Sequence, residues 1–290
     1  MTLPTTDTIV GYPDGDLTST GTVLTATPLP DGRAAIVLDR TAFHPIDPVW
    51  PDQPADSGLL SADGHTRPIV DAVVGATDGT TLFVGDTPVR TGTPGWAFVV
   101  CHLVDDAAGL EPGTPVTVTV DPDWRRALSA GHTACHLASL ALNEALAGLW
   151  TKEPPTDVRG NANFDQLAIA SSRILPNAAM DQYRIGKSLR KKGFAAVELP
   201  GRLDAVAAAA NARLAEWVAA GAGIPISIER DGDTLSDRRR WRAGLPEGTV
   251  EIPCGGTHPR LLGELSGIHI ALTLADNDGT FELRMATTTG

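Results

Sequence analysis

The sequence predicts an α+β protein in which a part made of strands is followed by helices and a second set of antiparallel strands. Short β-rich runs dominate up to about residue 121, a long helical repeat of apolar residues follows, and strand patterns return after Gly221. We therefore expect an N-terminal antiparallel β-barrel domain over residues 1–124. A helix-plus-antiparallel-sheet domain is expected over residues 125–290.

The N-terminal strands are predicted from five runs rich in β-branched and aromatic residues: GTVLTATPL, RAAIVLD, TLFVG, WAFVVCHLV and TPVTVTVD. Turn signals such as Pro30-Asp31-Gly32 and Asp78-Gly79 lie between them. Strands spaced this closely are typical of a barrel or a sandwich.

The first helix is predicted from Arg125 to Trp150, with Pro122 able to open it at its first turn. Apolar residues recur there at helical spacing: Leu128, Ala138, Leu142, Leu146 and Leu149. This spacing indicates a buried helix.

The rest of the second domain is predicted to begin with a loop from Thr151 to Gln166. Residues 166–173 and 177–192 are interpreted as short helices, and the Ala-rich run from Leu203 to Ala220 as a second long helix. Four final runs are expected to be strands: IPISIER, TVEIPC, GIHIALTLA and TFELRMAT.

Composition and charge narrow the class of protein. The 290 residues are 42% hydrophobic, which is enough for a real core, and the three Cys exclude a disulfide scaffold. We find neither a secretory signal nor an apolar run long enough to span a membrane, and expect a cytoplasmic protein. The net charge of −12 argues against a broad nucleic-acid-coating surface, but it allows a local basic patch.

Two pairs of potential metal ligands stand out. His132 and His136 lie four residues apart, on one face of the predicted helix. Cys254 and His258 are also four apart, with two glycines between them, just after a predicted strand. Such side chains can bind one metal ion. The alternatives are two histidines on a partly exposed helix face, a buried structural thiol and a surface loop histidine.

These motifs resemble the editing domain of alanyl-tRNA synthetases and the free-standing AlaX trans-editing proteins. HTACH and CGGTH match the family's zinc motifs in order and spacing, and GELSGIHIALTLADNDGTFELRMAT resembles its last strands. The segment from Phe43 to Gly58 resembles the family motif that carries Gln and Asp. The likeness covers roughly residues 20–150 and 245–290.

This sequence departs from the family at three places. Asp47–Asp52 stands where the family has three glycines before Gln53. Position 259 is Pro where the family usually has Val, and the segment from Thr151 to Arg230 has no match.

The resemblance implies a zinc-dependent deacylase that hydrolyses mischarged tRNA, Ser- or Gly-tRNA(Ala), in trans. It implies Zn²⁺ bound by the four motif residues: His132, His136, Cys254 and His258. Thr133 would face the substrate side chain, although it is equally read as a helix-interior Thr bonded to its own backbone.

Further candidate residues complete the expected site. Gln53 and Asp56 are candidates to orient water or the substrate amine. The backbone amides of Gly255 and Gly256 are candidates to stabilise the oxyanion.

Two basic clusters are interpreted first as solvated faces, or as ion-paired arginines in the second cluster, and their functional alternative is contact with nucleic-acid phosphates. The first consists of Arg184, Lys187, Arg190, Lys191 and Lys192. The second consists of Arg238, Arg239, Arg240 and Arg242.

Two other functions stay open. The net charge and the missing glycines favour a diverged zinc hydrolase of the same fold, acting on a small aminoacyl ester or amide without tRNA. A zinc-stabilised binding module without catalysis ranks last, because Gln53 and Thr133 are present.

Overall fold

The computed structural model describes residues 3–290, whose contacts divide into two compact units. The first comprises Met1–Arg126, Ile228–Arg240 and Pro253–Thr257. The second comprises Ala127–Ser227, Trp241–Ile252 and His258–Gly290. The division into two contiguous domains near residue 124 stays a prediction.

The first unit is built on strands that precede the first helix. They are β1 (Ile9–Val10), β2 (Thr18–Pro28), β3 (Ala34–Leu38), β4 (Arg40–Thr41), β5 (Gly58–Ala62), β6 (His65–Ile69), β7 (Asp71–Thr77), β8 (Leu82–Val84), β9 (Ala97–Val104) and β10 (Pro115–Val120). Eight of them form one sheet in the order β6-β5-β10-β2-β3-β9-β7-β8, and β1 pairs in parallel with β4.

The pairings within the eight-stranded sheet are antiparallel, as expected. However, β6 and β8 end the strand order, so among residues 3–290 no closed barrel is found. Strands β5, β6 and β7 were missed; each contains a Gly or a Pro, which are depleted in strands. The α+β class itself is confirmed.

The centre of this sheet is buried on both faces. Every residue of β3 and β9 is buried. Ile36 and Val100 pack into the core on one face, while Val37 and Val99 pack into a smaller core on the other. Burial on both faces explains why these two runs, apart from His102, are apolar throughout rather than alternating.

His102, on β9, is a histidine of the core rather than of a site. Its two ring nitrogens lie 2.9 Å from Thr41 Oγ1 and 3.1 Å from the Ile36 carbonyl oxygen. Burial lowers its pKa to about 4, so that the ring is neutral near pH 7.

The first helix, α1, spans Pro122–Ala145 and is followed by a 3₁₀ turn at Ala147–Leu149. The Asp121 carboxylate caps it by accepting the backbone N–H groups of Asp123 and Trp124, at 2.9 and 3.1 Å. The predicted helix is therefore present, and the last turn of the predicted range is a 3₁₀ turn. No helix of residues 3–290 has the length and hydropathy needed to cross a bilayer.

The remaining elements follow α1 along the chain. They are α2 (Phe164–Ala168), β11 (Ile169–Leu175), β12 (Ala178–Ile185), α3 (Lys187–Lys191), α4 (Leu199–Ala220), β13 (Ser227–Arg230), β14 (Arg239–Leu245), β15 (Gly248–Pro253), β16 (His269–Asn277) and β17 (Thr280–Thr288). They form an antiparallel sheet in the order β11-β12-β17-β16 and a sheet in the order β13-β14-β15.

The prediction of short helices over residues 166–173 and 177–192 was wrong for most of both segments. β11 and β12 form a hairpin there, in which Asn177 takes a positive φ of 53°. Burial along β12 follows the two-residue period of a strand. Only the five-residue helices α2 and α3 remain at the edges.

The long segment between α1 and α4 is held by a charged cluster. The Arg159 guanidinium lies 4.4 Å from the centre of the Trp217 ring and pairs with Glu144. Arg213 also donates to Glu144, at 2.9 Å, and to Glu247, at 3.0 Å. These contacts join α1, α4 and the β14–β15 turn within the second unit.

Gly131 allows the β11–β12 turn to approach α1 closely. A Cβ at this position would lie 2.4 Å from the carbonyl oxygens of Leu175 and Ala178. The Asn177 N–H donates to the Ala127 carbonyl at 2.8 Å, which fixes the approach. Only a residue without Cβ fits here.

We predict that Gly131→Ala destabilises the fold by about 1–3 kcal/mol, although alanine is the better helix former. The clash with two backbone oxygens outweighs the gain in helix propensity. Urea unfolding followed by circular dichroism measures the change in unfolding free energy.

Gly201→Ala, on α4, is the matched control, because no atom lies within 4 Å of the added Cβ. The control is expected to leave stability unchanged or raise it by up to ~1 kcal/mol. Equal effects of the two substitutions would contradict the importance of the close approach.

Candidate metal centre

The four residues of the two motifs come together in the structure. Each of His132, His136, Cys254 and His258 offers one ligand atom, and these atoms all lie within 4.8 Å of one another. The His132 ring centre lies 4.8 Å from that of His136 and 4.7 Å from that of His258. The group can bind a metal ion.

Helix α1 and the loop after β15 present these ligands. His132 is buried, and the other three residues are half-buried. Burial lowers the pKa of His136 to about 4, which keeps its imidazole neutral and able to donate a lone pair to a cation. Three imidazoles and one sulfur form a donor set typical of zinc.

Cys254 lies directly after β15, and its N–H donates to the Arg239 carbonyl at 3.1 Å. Burial raises the pKa of its thiol to about 12, while the Gly256 backbone amide opposes the shift by donating to the sulfur. A thiolate at this position therefore depends on a cation beside it, as a metal ligand would.

The two glycines of this loop differ in their surroundings. Gly255 is exposed, whereas Gly256 is buried. Gly255 does not take a positive φ, and a Cβ at this position would lie 3.8 Å from its nearest neighbour, Arg239 Nη1, which is an ordinary contact.

Gln53 lies in the connection between β4 and β5 and binds the loop that carries Cys254 and His258. Its Nε2 donates to Thr257 Oγ1 at 2.9 Å, and its Oε1 accepts the Thr257 N–H at 3.2 Å. Both residues are 2% exposed. Gln53 thus fixes the residue that immediately precedes His258.

Asp56 lies in a buried ion pair. Arg125 donates Nε to Oδ1 at 2.7 Å and pairs with Oδ2, which also accepts the His44 N–H at 2.6 Å. The Asp56 side chain is 0% exposed. These contacts hold the Phe43–His44 segment to the start of α1. The proposed role of Asp56 in orienting water or the amine stays a prediction.

Thr133 is fully buried, and its hydroxyl lies 2.8 Å from His258 Nδ1. This contact leaves His258 Nε2 to face an ion. Hydroxyl and carbonyl partners of this kind set the tautomer and ring orientation of metal-binding histidines. The predicted contact of Thr133 with the substrate side chain stays a prediction.

Trp241 is a residue of the site that sequence reasoning missed. Its ring is 0% exposed, with its centre 5.1 Å from that of His136 and 5.9 Å from that of His258. Trp241 lies in β14, a segment in which the sequence analysis considered only the arginines. The available signal was the alternation of apolar Trp241, Ala243 and Leu245 with Arg242 and Gly244, which the burial of the strand follows.

The arginines around Trp241 are engaged within the fold. Arg239 is 8% exposed and donates to Tyr12 Oη, at 2.9 Å, and to two backbone carbonyls. Arg240 pairs with Asp231 and Arg242 with Glu251. The ion-paired interpretation of this second cluster is the one that these contacts support.

The first basic cluster lies on and beside α3. Arg184, Lys187, Lys191 and Lys192 are exposed, and Arg190 donates to the Gly279 carbonyl at 2.6 Å. Lys152 adds a further cation, because its Nζ donates to the Lys191 carbonyl at 3.0 Å.

Comparison with known proteins finds no matching family model. The alanine–tRNA ligase of Halobacterium salinarum is 27% identical over 265 residues, which cover 88% of this chain and 23% of the ligase. That of Methanothermobacter thermautotrophicus is 26% identical, covering 84% and 22%. The enzyme of a Nocardioides species is 26% identical, covering 83% and 22%.

The chain therefore spans about a quarter of the length of the curated relatives it matches. The matched region covers most of the chain, including the segment between the two zinc motifs. The chain is similar to one part of these ligases.

We predict that Thr133→Val weakens zinc binding by about 10- to 100-fold, because it removes the partner of His258 Nδ1 and keeps the volume of the side chain. Competition with a chelating dye measures the affinity.

Thr133→Ser is the matched control and is expected to restore affinity, since it keeps the hydroxyl. Equal affinity of the valine and serine variants would show that the hydroxyl does not orient the ligand.

Proposed function

We propose that the chain is a zinc-dependent aminoacyl-tRNA deacylase that hydrolyses mischarged tRNA, Ser- or Gly-tRNA(Ala), in trans. One observation carries the proposal: a three-imidazole, one-sulfur cluster lies in a chain whose relatives are alanine–tRNA ligases. The cluster supports hydrolysis, and the relatives support an aminoacylated tRNA as its substrate.

Zinc is the metal that fits the donor set best. When bound, it would polarise the ester carbonyl or acidify water by accepting a fifth ligand or releasing one of the four side chains, or it would serve mainly to shape and orient the site. His132, His136, Cys254 and His258 would hold it, with Thr133 orienting the His258 ring and Gln53 fixing the Cys254–His258 loop through Thr257.

In this reaction the main task of the protein is to position the ester and the attacking water. Water adds to the ester carbonyl carbon, the bond to the ribose oxygen breaks, and the ribose oxygen takes up a proton as the amino acid leaves. The Gly255 and Gly256 amides lie between two ligands in sequence and would donate to the developing oxyanion. The Gly256 amide donates to the Cys254 sulfur, so Gly255 is the better candidate of the two.

The basic cluster on α3 is our candidate for the tRNA phosphates. The net charge of −12 repels RNA over most of the surface, so binding needs a local concentration of cations. The exposed lysines at 187, 191 and 192 supply it, together with Arg184 and Lys152.

A second candidate function is hydrolysis of a small aminoacyl ester or amide without tRNA. The observation that favours it is the Asp47–Asp52 loop, which exposes Val49 and Trp50 next to Gln53 where the resembled family has glycines. Such a loop would reshape the approach to the metal centre.

We expect purified protein to deacylate Ser- or Gly-tRNA(Ala) that was charged separately, and to lose this activity when a chelator removes its metal. Correctly charged alanyl-tRNA should be spared. Release of labelled amino acid measures the rates, and added zinc should restore them.

Small seryl esters separate the two functions. Cleavage of the small ester without any deacylation of tRNA would replace the proposed function with the second one. No hydrolysis of either substrate by metal-loaded protein would contradict both.

Reversing two charges on α3 tests the RNA surface. We predict that Lys191→Glu together with Lys192→Glu raises the KM for mischarged tRNA and lowers the slope of log K against log salt by roughly one unit per lost phosphate contact. Cleavage of a small seryl ester should not change, because the metal centre is untouched.

The control with the same change in net charge combines Arg90→Glu and Arg126→Glu, two exposed arginines of the first unit. An equal loss of tRNA binding in this control would show that overall charge, rather than the α3 cluster, governs binding.

A further inference from the structure

All four lysines of the chain lie in or beside α3, and we call them the lysine patch. Lys187, Lys191 and Lys192 belong to this helix or follow it directly. Lys152 is joined to it by the bond from its Nζ to the Lys191 carbonyl at 3.0 Å. In a chain with a net charge of −12, this concentration of cations raises the local affinity for phosphates. Phosphate contacts hold a nucleic acid in place but do not read its bases.

A cavity of about 320 Å³ lies beside the lysine patch. Residues of β11, β12, β16 and β17 line it, and Arg184 is one of them. Two contacts hold α3 against this cavity. Arg190 donates to the Gly279 carbonyl, in the β16–β17 turn, at 2.6 Å. A Cβ on Gly186, which precedes α3, would lie 3.9 Å from the Thr280 side chain of the lining.

The lining offers polar groups that are available to a ligand. Within residues 3–290, the side chains of Gln182, Arg184 and Asn277 make no hydrogen bond or ion pair. The two amides each carry a donor and an acceptor, and the guanidinium is a planar cation. The carboxylate of the lining, Glu282, is already paired, because Arg284 Nε donates to it at 2.8 Å. The cavity therefore suits a planar ligand with donors and acceptors on its edge.

The cavity lies on the face of the four-stranded sheet that is turned away from α1. The Cys135 sulfur of α1 is 3.5 Å from the Asp181 carboxylate of β12, so Asp181 faces the helix. Successive residues of a strand point to opposite faces, which places Gln182 and Arg184 on the other face. The metal ligands of α1 are therefore on the far side of the sheet from the cavity.

A nucleotide matches both the lysine patch and the cavity. Unpaired RNA bases are recognised by hydrogen bonds to their edges and by stacking on guanidinium planes. Asn and Gln amides suit base edges, since they can donate and accept at once. The volume is at the lower end of the range of about 300–1,000 Å³ that ligand sites span, which fits one nucleotide rather than a duplex.

The acids near the cavity are fewer than the cations. The β16–β17 turn carries Asp276, whose Oδ1 accepts the Gly279 N–H at 2.8 Å, and the exposed Asp278. The lysine patch together with Arg184 and Arg190 supplies six cations. A phosphate is therefore expected on the lysines rather than at the turn.

We propose that this cavity binds one unpaired nucleotide of the tRNA, with its base against Gln182, Arg184 and Asn277 and neighbouring phosphates on the lysine patch. The inference rests on the proposed function. Because the cavity faces away from α1, the nucleotide bound there is not the 3′-terminal one that carries the ester. The same site thus gives the deacylase a means of selecting its tRNA away from the metal centre.

Removing the two amides without changing charge or size tests this site. We expect Gln182→Met together with Asn277→Leu to weaken binding of uncharged tRNA(Ala) by about 10- to 100-fold, because the base loses its hydrogen bonds. The slope of log K against log salt should not change, since no phosphate contact is lost. Filter binding with zinc-loaded protein measures both quantities.

The matched control combines Thr273→Val and Thr288→Val, two exposed threonines of the same sheet that lie outside the lining. It also replaces two polar side chains by apolar ones of similar size, and it should leave the Kd within about twofold. An equal loss of binding in this control would overturn the assignment to the cavity.

Footprinting by 2′-hydroxyl acylation identifies the nucleotide. The unmodified protein should protect an unpaired nucleotide other than the 3′-terminal one, and the protection should disappear with Gln182→Met and Asn277→Leu. Protection of paired or 3′-terminal nucleotides alone would overturn the proposal, whatever the variants do.

Calorimetry with the four nucleoside 5′-monophosphates separates a free nucleotide from RNA. Binding of a monophosphate that depends on the two amides, together with tRNA binding that does not, would assign the cavity to a free nucleotide and overturn the RNA assignment. Deacylation of tRNA with a Kd and a footprint indifferent to the two amides would overturn the inference while the proposed function stands. If the unmodified protein neither binds nor deacylates tRNA, the proposed function fails, and this inference fails with it.

Discussion

The two hydrogen bonds between Gln53 and Thr257 are the constraint on which the site depends. They join residues 204 positions apart, and Thr257 lies inside the loop that carries two of the four ligands. Both partners are buried, so losing one would leave polar groups unsatisfied at a cost of about 1–3 kcal/mol. The ligands of α1 need no such support, because an intact helix already aligns residues four apart.

The difference between local spacing and contacts that are distant in sequence explains which features the sequence could predict. Local periodicity predicted α1, α4 and the last strands, and the spacing of the two motifs predicted the ligand group. It failed over β11 and β12, where Ala, Ser and Met carry weak preferences and hairpin pairing decides the structure. Nor could periodicity show whether the N-terminal sheet closes, since that depends on how its end strands pair.

Roles of single side chains were the least predictable part. The Thr133–His258 contact spans 125 residues, and the Asp56–Arg125 pair spans 69, so no local pattern reveals either. The sequence analysis missed Trp241 because the arginines beside it drew the attention. In the structure those arginines form contacts within the fold rather than a basic surface.

Metal content tests the central claim most directly, because the roles of Gln53 and Thr133 both assume one ion at this site. Elemental analysis of protein purified without chelator should find about one zinc per chain, because the four ligand atoms, all within 4.8 Å of one another, would hold a single ion. The Cys254→Ala variant should contain much less. Protein without a transition metal, or a Cys254→Ala variant with full zinc content, would contradict a metal centre built from these four residues.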